Sequence, residues 1–532
     1  MKRKLSLLLS ALIISLTFSG CGNDGELQTN NKSSGELGEG YPLKTEEILS
    51  YWCMLDGSVS ANTDNLANTE FAKGLEERTG VKLEYIHPTS SALEQFNLML
   101  ASGELPDIID FPWHRFAGGA QKAIDEGHIL PLNDIIEKDA PNMKAYLERQ
   151  PEVAKLLRTY GGSYFCFPSA DSVGTSFVTA GPVMRKDWLD ELELPVPETI
   201  DEWTVTLRAF KEKKGAEYPL SFANFHNFLS WGLFTGAYGV PKSFYLDDGI
   251  VKYGSIEPAF KDFITQMNSW YQEGLLDPNV SNVDTKIQDA YILQGKTGAT
   301  AGSVGSGIGK WLDAMKNKGT TFDLIGVPYP VLNKGDHPKF SQMNWSFSGL
   351  GAAITTKCKN VELAARFLDY GYSDEGMMYY NFGTEGKTYQ MENGYPKYTD
   401  EIMSNPQGLS VQQALGQYTR ASYGGPFLGD QRYFEQYGGK PQQQSAYKKW
   451  SDTDAPENCL PSALNINPEK SSDVAKKMNE ITTYENSMMV KMIMGLEPIE
   501  KFDEYVAQIQ ELGIDEVLTV YQDAYDHCLK QK

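Results

Sequence analysis

FAKGLEERTGVKLEYIHPTSSALEQFNLMLASGELPDIIDF, residues 71–111, decides the fold class by its periodicity. Leu66, Phe71, Ala72 and Leu75 fall on one face of a helix predicted over 64–79. Gly80 stops it, because glycine takes the left-handed backbone at a helix end without a Cβ penalty. Val81, Leu83 and Tyr85 then alternate at period two, which predicts a strand. Ser91 and Glu94 have the spacing of a capping box, and the helix they open is expected to bury Leu93, Phe96 and Leu100 before Gly103. Residues 106–111 form a third apolar strand, and 48–54, just upstream, form the first. Strand, helix, strand, helix, strand implies a parallel sheet with helices on its faces. In such sheets ligands sit beyond the carboxyl ends of the strands. Two aromatic-rich segments fall there, Tyr51-Trp52 and Trp113-His114-Arg115-Phe116.

Outward from this lobe, the chain starts with Lys2, Arg3 and Lys4, followed by an uncharged apolar run over 5–18. That run is too short for a bilayer, which needs roughly 20 residues, and has the flanks of a signal-peptide core. It ends in Phe18-Ser19-Gly20-Cys21, which resembles a bacterial lipobox, with Phe18 where that motif carries Leu, Val or Ile. The resemblance implies cleavage after residue 20 and a diacylglycerol on Cys21, whose two acyl chains suffice for stable anchoring. An ordinary secretory signal is the alternative. Residues 22–45 lack a core-forming pattern and are expected to be a tether.

The 532 residues are 41% hydrophobic and 12% aromatic, enough for sizeable cores, and carry a net charge of −22. That charge argues against nucleic acid, which demands basic stripes. Five cysteines besides Cys21 are widely spaced with no CxxC pair, so a structural zinc site is not expected; two disulfides at most, or buried thiols, remain open.

Six segments in order resemble the extracellular solute-binding proteins of carbohydrate ABC importers, in their long lipoprotein branch. They are the quoted opening, GHILPLNDII with DAPNMKAYLERQPEV, GGSYFCFP, VMRKDWLDELELPVPETIDEW, AARFLDYGYSDEGMMYYNFGTEGKTYQMENGYPKYTDEI and MIMGLEPIEKFDEYVAQIQELGIDEVLTVYQDAYD. The resemblance spans residue 46 to the end. It implies an α/β, two-lobe periplasmic-binding-protein-like (type 2) fold with a hinge and an interlobe ligand cleft. Residues 46–170 and about 347–400 would form lobe 1, and 171–346 with about 401–532 lobe 2. Crossings near 164–168 and 347–354 would be the hinge, whose closure a permease recognises. Signal peptide, tether, lipid-anchored outer-face location, an oligosaccharide ligand, ABC permease subunits as partners, a monomer and no cofactor complete the implied picture.

Sugars present flat CH faces and many hydroxyls, so their sites want aromatic platforms beside planar polar side chains. FPWHRFAGGAQ resembles a cleft segment of maltodextrin-binding proteins, which implies Trp113 as a platform with His114 and Arg115 as donors; the alternative for Trp113 is packing at the sheet edge. Trp52 and Tyr164 share the positional argument, each with core packing as its alternative. Ser303 lies in, and Trp311 directly follows, a small-residue run, GSVGSGIGK, that would let a ligand approach backbone N–H groups. Its spacing and Trp311 exclude a P-loop. Trp345, and Tyr423 in the Gly-rich stretch QYTRASYGGPF, are further candidates. Trp188 and Trp203 read as structural.

No HExxH, nucleophile elbow or Cys/His cluster is present. Asp452, Asp454 and Glu457 lack the regular spacing of an EF-hand loop, and DELELPVPETIDEW, where some alginate-binding relatives hold calcium, has linker character; no calcium is expected there. A peptide-binding protein of the same fold and a surface glycosidase are the rivals. Overall acidity disfavours uronate ligands, although Arg115, Arg185 or Arg420 could reverse that locally.

Overall fold

A computed structural model describes residues 37–172, 178–316, 318–319 and 321–531. The signal segment, Cys21 and most of the expected tether lie outside the described residues. The first sheet contains β1 (Ile48–Cys53), β2 (Lys82–Ile86), β3 (Ile108–Pro112), β4 (Phe167–Asp171), β8 (Phe347–Ile354) and β9 (Leu428–Gly429). The second contains β5 (Ala180–Arg185), β6 (Ala299–Ser303) and β7 (Leu324–Gly326).

β1 runs parallel to both β2 and β3, as the strand–helix alternation requires. β8 comes back antiparallel between β3 and β4, and β9 pairs parallel to β4, giving the order β9-β4-β8-β3-β1-β2. The second sheet is antiparallel, in the order β6-β5-β7. Local chemistry places the first elements. The helix expected over 64–79 is a 3₁₀ turn, Leu66–Asn68, followed by an α-helix, Glu70–Thr79. Thr69 separates them, because its hydroxyl accepts from the Ala72 N–H as an N-cap. Gly80 and Gly103 end their helices at φ 73° and 71°. Phe96 and Leu100 face inward, whereas Leu93, expected inside, is 37% exposed.

Two large cores follow. One, around the first sheet, contains Phe71, Phe96, Ile108, Ile109 and Trp113. The other contains Trp203, Phe234 and Trp270, packed edge to face with centroids 4.9 and 5.3 Å apart. Glu485, on the long helix Pro468–Met494, is wholly buried in the second lobe, paired with Lys242 at 2.5 Å and bonded by the Tyr253 and Ser255 hydroxyls.

Two expected boundaries move. Leu37 and Leu43, expected in the tether, join the first core, and the Leu43 N–H donates to the Thr79 carbonyl at 2.7 Å. Residues 401–429, assigned above to lobe 2, pack with lobe 1. The helix Val411–Tyr418 lies on the turn Gly57–Ser60, where Gly416 allows the approach: a Cβ there would sit 2.7 Å from Ser58 Oγ. Phe427 and Leu428 enter the first core. Residues 430–437 still bond to lobe 1, the Asp430 N–H donating to Asn381 at 2.9 Å; lobe 2 resumes near 440, and the helix Pro441–Trp450 sets Trp450 under Gly181 of β5. The C-terminal helix Ile514–Lys530 reaches back to lobe 1, where Tyr160 stacks on His527 at 4.2 Å and donates to Asp523 at 2.9 Å.

Cys53, Cys166, Cys358, Cys459 and Cys528 are free thiols, and burial pushes those of Cys53, Cys358 and Cys459 up to about 12.

In the first lobe Arg420 meets Asp110 at 3.2 Å, both buried, and Tyr51 donates to the same carboxylate at 2.9 Å. Asp110→Ala should cost about 3–5 kcal/mol in urea unfolding, because it strands a buried guanidinium. Breaking the exposed Lys397–Glu392 pair should cost under about 1 kcal/mol. Burial, with the Lys242 charge nearby, pushes the His226 imidazole down from 6.5 to about 4. The unfolded chain therefore binds this proton first, and stability should fall as pH drops from 6.5 toward 4. His226→Gln should flatten that part of the pH profile.

Candidate functional site

Where the crossing strands meet, between the two cores, lies a cavity of about 530 Å³. Its floor is built by the hinge. β4 supplies Ser169, Ala170 and Asp171, and the entry to β8 supplies Trp345, Ser346 and Ser348. Main-chain bonds join these segments: Asp171 N–H to Ser346 O at 3.2 Å, and Ser172 N–H to Gly429 O at 2.9 Å. Tyr146 holds the far side of β4 by donating to the Asp171 carbonyl at 2.9 Å.

The aromatic wall comes from two helices at the junction of the lobes, the first bonded to the strand Tyr395–Tyr398 of lobe 1 (Tyr398 N–H to Gln436 at 2.7 Å) and the second packed on the second sheet. Gln431–Tyr437 presents half-buried Tyr433 and Phe434, and Pro441–Trp450 presents half-buried Tyr447. The Phe434 centroid is 5.8 Å from that of Tyr447 and 6.2 Å from that of Tyr433. Asp430 caps the first of these helices, accepting from the Arg432 N–H at 2.9 Å, and grips the Arg432 guanidinium through both oxygens. Gln443 fixes the second: its oxygen accepts from the Lys440 N–H and its amide donates to the Val304 carbonyl at 2.7 Å. Asn344, Gln443 and exposed Gln444 complete a wall of rings and amides.

Among the residues expected from sequence, Trp345 lines the cavity. Ser303 ends β6 half-buried beside the wall residue Val304. His114 is exposed against Gly349, next to the wall residue Ser348; a Cβ at Gly349 would sit 2.7 Å from its Nδ1. Tyr423 lies under the Arg420 guanidinium, 5.1 Å from ring centre to Cζ, while its neighbours Ala421 and Gly424 face the cavity.

The others lie elsewhere. Trp52 is buried on Phe111 and Phe96, at 5.5 and 6.1 Å. Trp113 is wholly buried against Phe96 at 5.4 Å, so the structure puts its ring in the core and not on the cavity wall. Arg115 is exposed in the same 3₁₀ turn, off the wall. Tyr164 accepts from Arg158 at 2.9 Å within lobe 1. Trp311 is buried beneath Gly302 and Gly307, and its indole donates to Asp289 at 2.7 Å. The small residues expected to admit a ligand instead admit side chains of this chain. A Cβ at Gly305 would meet the Tyr437 ring at 2.4 Å, and one at Gly309 the Gln443 amide at 2.5 Å.

Sequence reasoning passed over Tyr433, Phe434, Gln443, Gln444 and Tyr447. The available signal was composition: residues 431–447, QRYFEQYGGKPQQQSAY, interleave rings with amides. Three acids of DELELPVPETIDEW are engaged locally, Asp190 with Lys186, Glu191 with Lys214 and Glu202 in the Thr199 capping box. His337 bridges Asp454 at 2.9 Å and Asp452 at 3.2 Å, and these carboxylates raise its pKa.

Residues 60–378 match the model of a family described as bacterial extracellular solute-binding protein. The fructooligosaccharide ABC transporter substrate-binding protein FusA of Streptococcus pneumoniae serotype 4 is 24% identical over 557 residues, covering 98% of each chain. The polygalacturonan/rhamnogalacturonan-binding protein YtcQ of Bacillus subtilis is 22% identical over 479 residues, 85% of this chain and 87% of its own. The crystal structure of the alginate-binding protein AlgQ2 without calcium ion superposes with a TM-score of 0.73 at 26% identity, covering 92% of this chain and all of that one. The two-lobe α/β fold expected from sequence is the fold observed.

Trp113→Ala should cost about 3–5 kcal/mol of stability by leaving a core cavity. Tyr447→Ala, half-buried on the wall, should cost under about 1.5 kcal/mol. Denaturant unfolding of the two variants checks the contrast.

Proposed function

The chain belongs to the bacterial extracellular solute-binding protein family, and from that premise we propose that it captures an oligosaccharide in the interlobe cavity and hands it to an ABC permease. The observation that carries the reading is the wall: rings of Trp345, Tyr433, Phe434 and Tyr447 beside Asn344, Gln443 and Gln444, at a hinge. Rings match the CH faces of a pyranose or furanose, and amides match its hydroxyls, each offering a donor and an acceptor. The volume falls in the range of small-ligand sites, roughly 300–1,000 Å³. The matched relatives named above are substrate-binding proteins, in keeping with binding without chemistry.

Closure would bring the Pro441–Trp450 side of the wall down on a ligand resting on β4 and β8, and the closed form is what a permease would engage. On the same reading the Phe18–Cys21 motif supplies a lipid anchor that holds the protein at the outer face of the cell membrane, as a monomer. Among the described residues no helix is long and apolar enough to cross a membrane.

Three outcomes are expected. In thermal unfolding of a form starting after Cys21, one class in a panel of oligosaccharides and peptides should raise the midpoint by a few degrees, since a ligand at 100 times its Kd adds about 2.7 kcal/mol. A response to peptides alone would keep the fold and remove the sugar. Tyr447→Ala should weaken the responding sugar by about 1–2 kcal/mol, roughly 5–30-fold by calorimetry. Cys21→Ala should move the protein from the membrane to the soluble fraction of expressing cells; unchanged attachment would contradict the anchor.

A further inference from the structure

Resting on the oligosaccharide reading, we infer that Gln342 is a positioning residue for the ligand. It sets the orientation of the Asn344 amide, which takes two neighbouring sugar hydroxyls, one as donor and the other as acceptor. Gln342 is 5% exposed and does not line the cavity, whereas half-buried Asn344 does. Both stand on the segment that enters β8, and both bond to the segment that enters β5.

The orientation follows from donors that cannot change role. The Thr179 and Ala180 main-chain N–H groups, at 2.8 and 3.3 Å, point at one side-chain atom of Gln342, which must therefore be its oxygen. The Gln342 amide nitrogen is left to donate to Asn344 Oδ1 at 3.0 Å. That fixes Asn344 in turn. Its nitrogen donates to the Thr179 hydroxyl at 3.0 Å, and the hydroxyl donates back to the Gln342 oxygen at 3.3 Å. Thr179, Gln342 and Asn344 thus close a ring in which each side chain donates to the next, so that the bonds polarise one another. Buried Tyr329 clamps the backbone behind the ring, accepting from the Gln342 N–H at 3.0 Å and donating to the Ala180 carbonyl at 2.9 Å.

Splicing the two segments together accounts for Tyr329 and for the main-chain bonds to Gln342. It does not call for a ring that continues to a residue on the cavity wall. An Asn amide has two N–H donors and two acceptor lone pairs, and the ring uses one of each. One donor and one acceptor remain on Asn344, in a fixed order. Adjacent hydroxyls on a sugar ring, one accepting and one donating, match that pair. An amide held in advance gives up less freedom on binding than a loose one. The Trp345 ring, next in the chain, lines the cavity beside it.

The test is calorimetric titration, at pH 8, of the chain beyond Cys21 with fructo-, malto-, galacto- and xylo-oligosaccharides, then a double-mutant cycle with the tightest binder. Asn344→Ala should weaken that sugar about fivefold or more, the scale of one or two hydrogen bonds. Gln342→Glu keeps an acceptor for the two main-chain N–H groups, and a carboxylate accepting several bonds stays ionised. It cannot donate to Asn344, so the amide turns over and exchanges the donor and acceptor it shows the cavity. A loss of about fivefold or more is expected. In the Asn344→Ala background the same change should cost less than about twofold, a coupling that a purely structural role would not give. Thr179→Val opens the ring at its hydroxyl and leaves the main-chain bonds in place. It should cost about two- to fivefold, again only with Asn344 present, and it replaces Gln342→Glu if that variant does not fold. Unchanged affinity in Asn344→Ala would overturn the inference. So would losses from Gln342→Glu and Thr179→Val that persist in full in the Asn344→Ala background. Either result leaves the saccharide reading standing. A parent chain that binds none of the saccharides would overturn both.

Discussion

Everything in the site depends on β8 pairing antiparallel between β3 and β4. A chain that leaves the first lobe through β4 and returns through β8 must cross the gap between lobes along neighbouring strands, and β9 adds a third crossing segment on the far edge of β4. The hinge and the cavity floor are therefore the same residues. Ser169–Asp171 and Trp345–Ser348 lie on the crossing segments and also line the cavity, so on the proposed reading they would both flex on closure and touch the ligand. Binding and closure are coupled by construction rather than through a relay.

Rigid supports stand behind this mobile floor. Arg420 and Asp110 place a buried charge pair under the loop that carries Ala421 and Gly424 to the cavity, with Gly425 making room for the guanidinium. A buried pair costs desolvation and returns it through geometry, so here its effect is on where the loop sits. On the other lobe Gln443 ties the helix Pro441–Trp450 to the carbonyl of Val304, which continues β6 into the glycine-rich turn. The Tyr447 helix thus rides on the second lobe's sheet, whereas the Tyr433 helix is bonded to the strand Tyr395–Tyr398 of the first.

The fold was legible in sequence where local rules act alone. Period-two alternation, the Gly80 and Gly103 stops and the Ser91 cap located the opening strands and helix ends to within two residues, while the start of the first helix, expected at 64, came at Glu70 behind a 3₁₀ turn. The return of β8 and the late re-entry near 440 are long-range pairings with no local signature; only the resemblance suggested the first, and it placed the second too early. The site was less legible for a physical reason. Trp52, Trp113 and Trp311 stand at strand ends or beside small residues, as a platform would, but ring direction depends on partners far along the chain, and Phe96, Phe111 and Asp289 draw them inward. Residues 431–447 carry the rings and amides of the wall without matching any of the six motifs, and composition was the sole clue. Charge was readable only as a total. That Arg185 and Arg420 are both committed to aspartates could be learned only from the packed structure.

The central claim is that the hinge cavity, and no other surface, holds the ligand. Hydrogen–deuterium exchange of the chain beyond Cys21, with and without its tightest-binding neutral oligosaccharide, tests it most directly. The account predicts slowed exchange concentrated in 169–172, 343–348 and 430–447, with the Trp52 and Trp113 segments unchanged. Protection centred on those two segments, or spread evenly over both lobes, would contradict it.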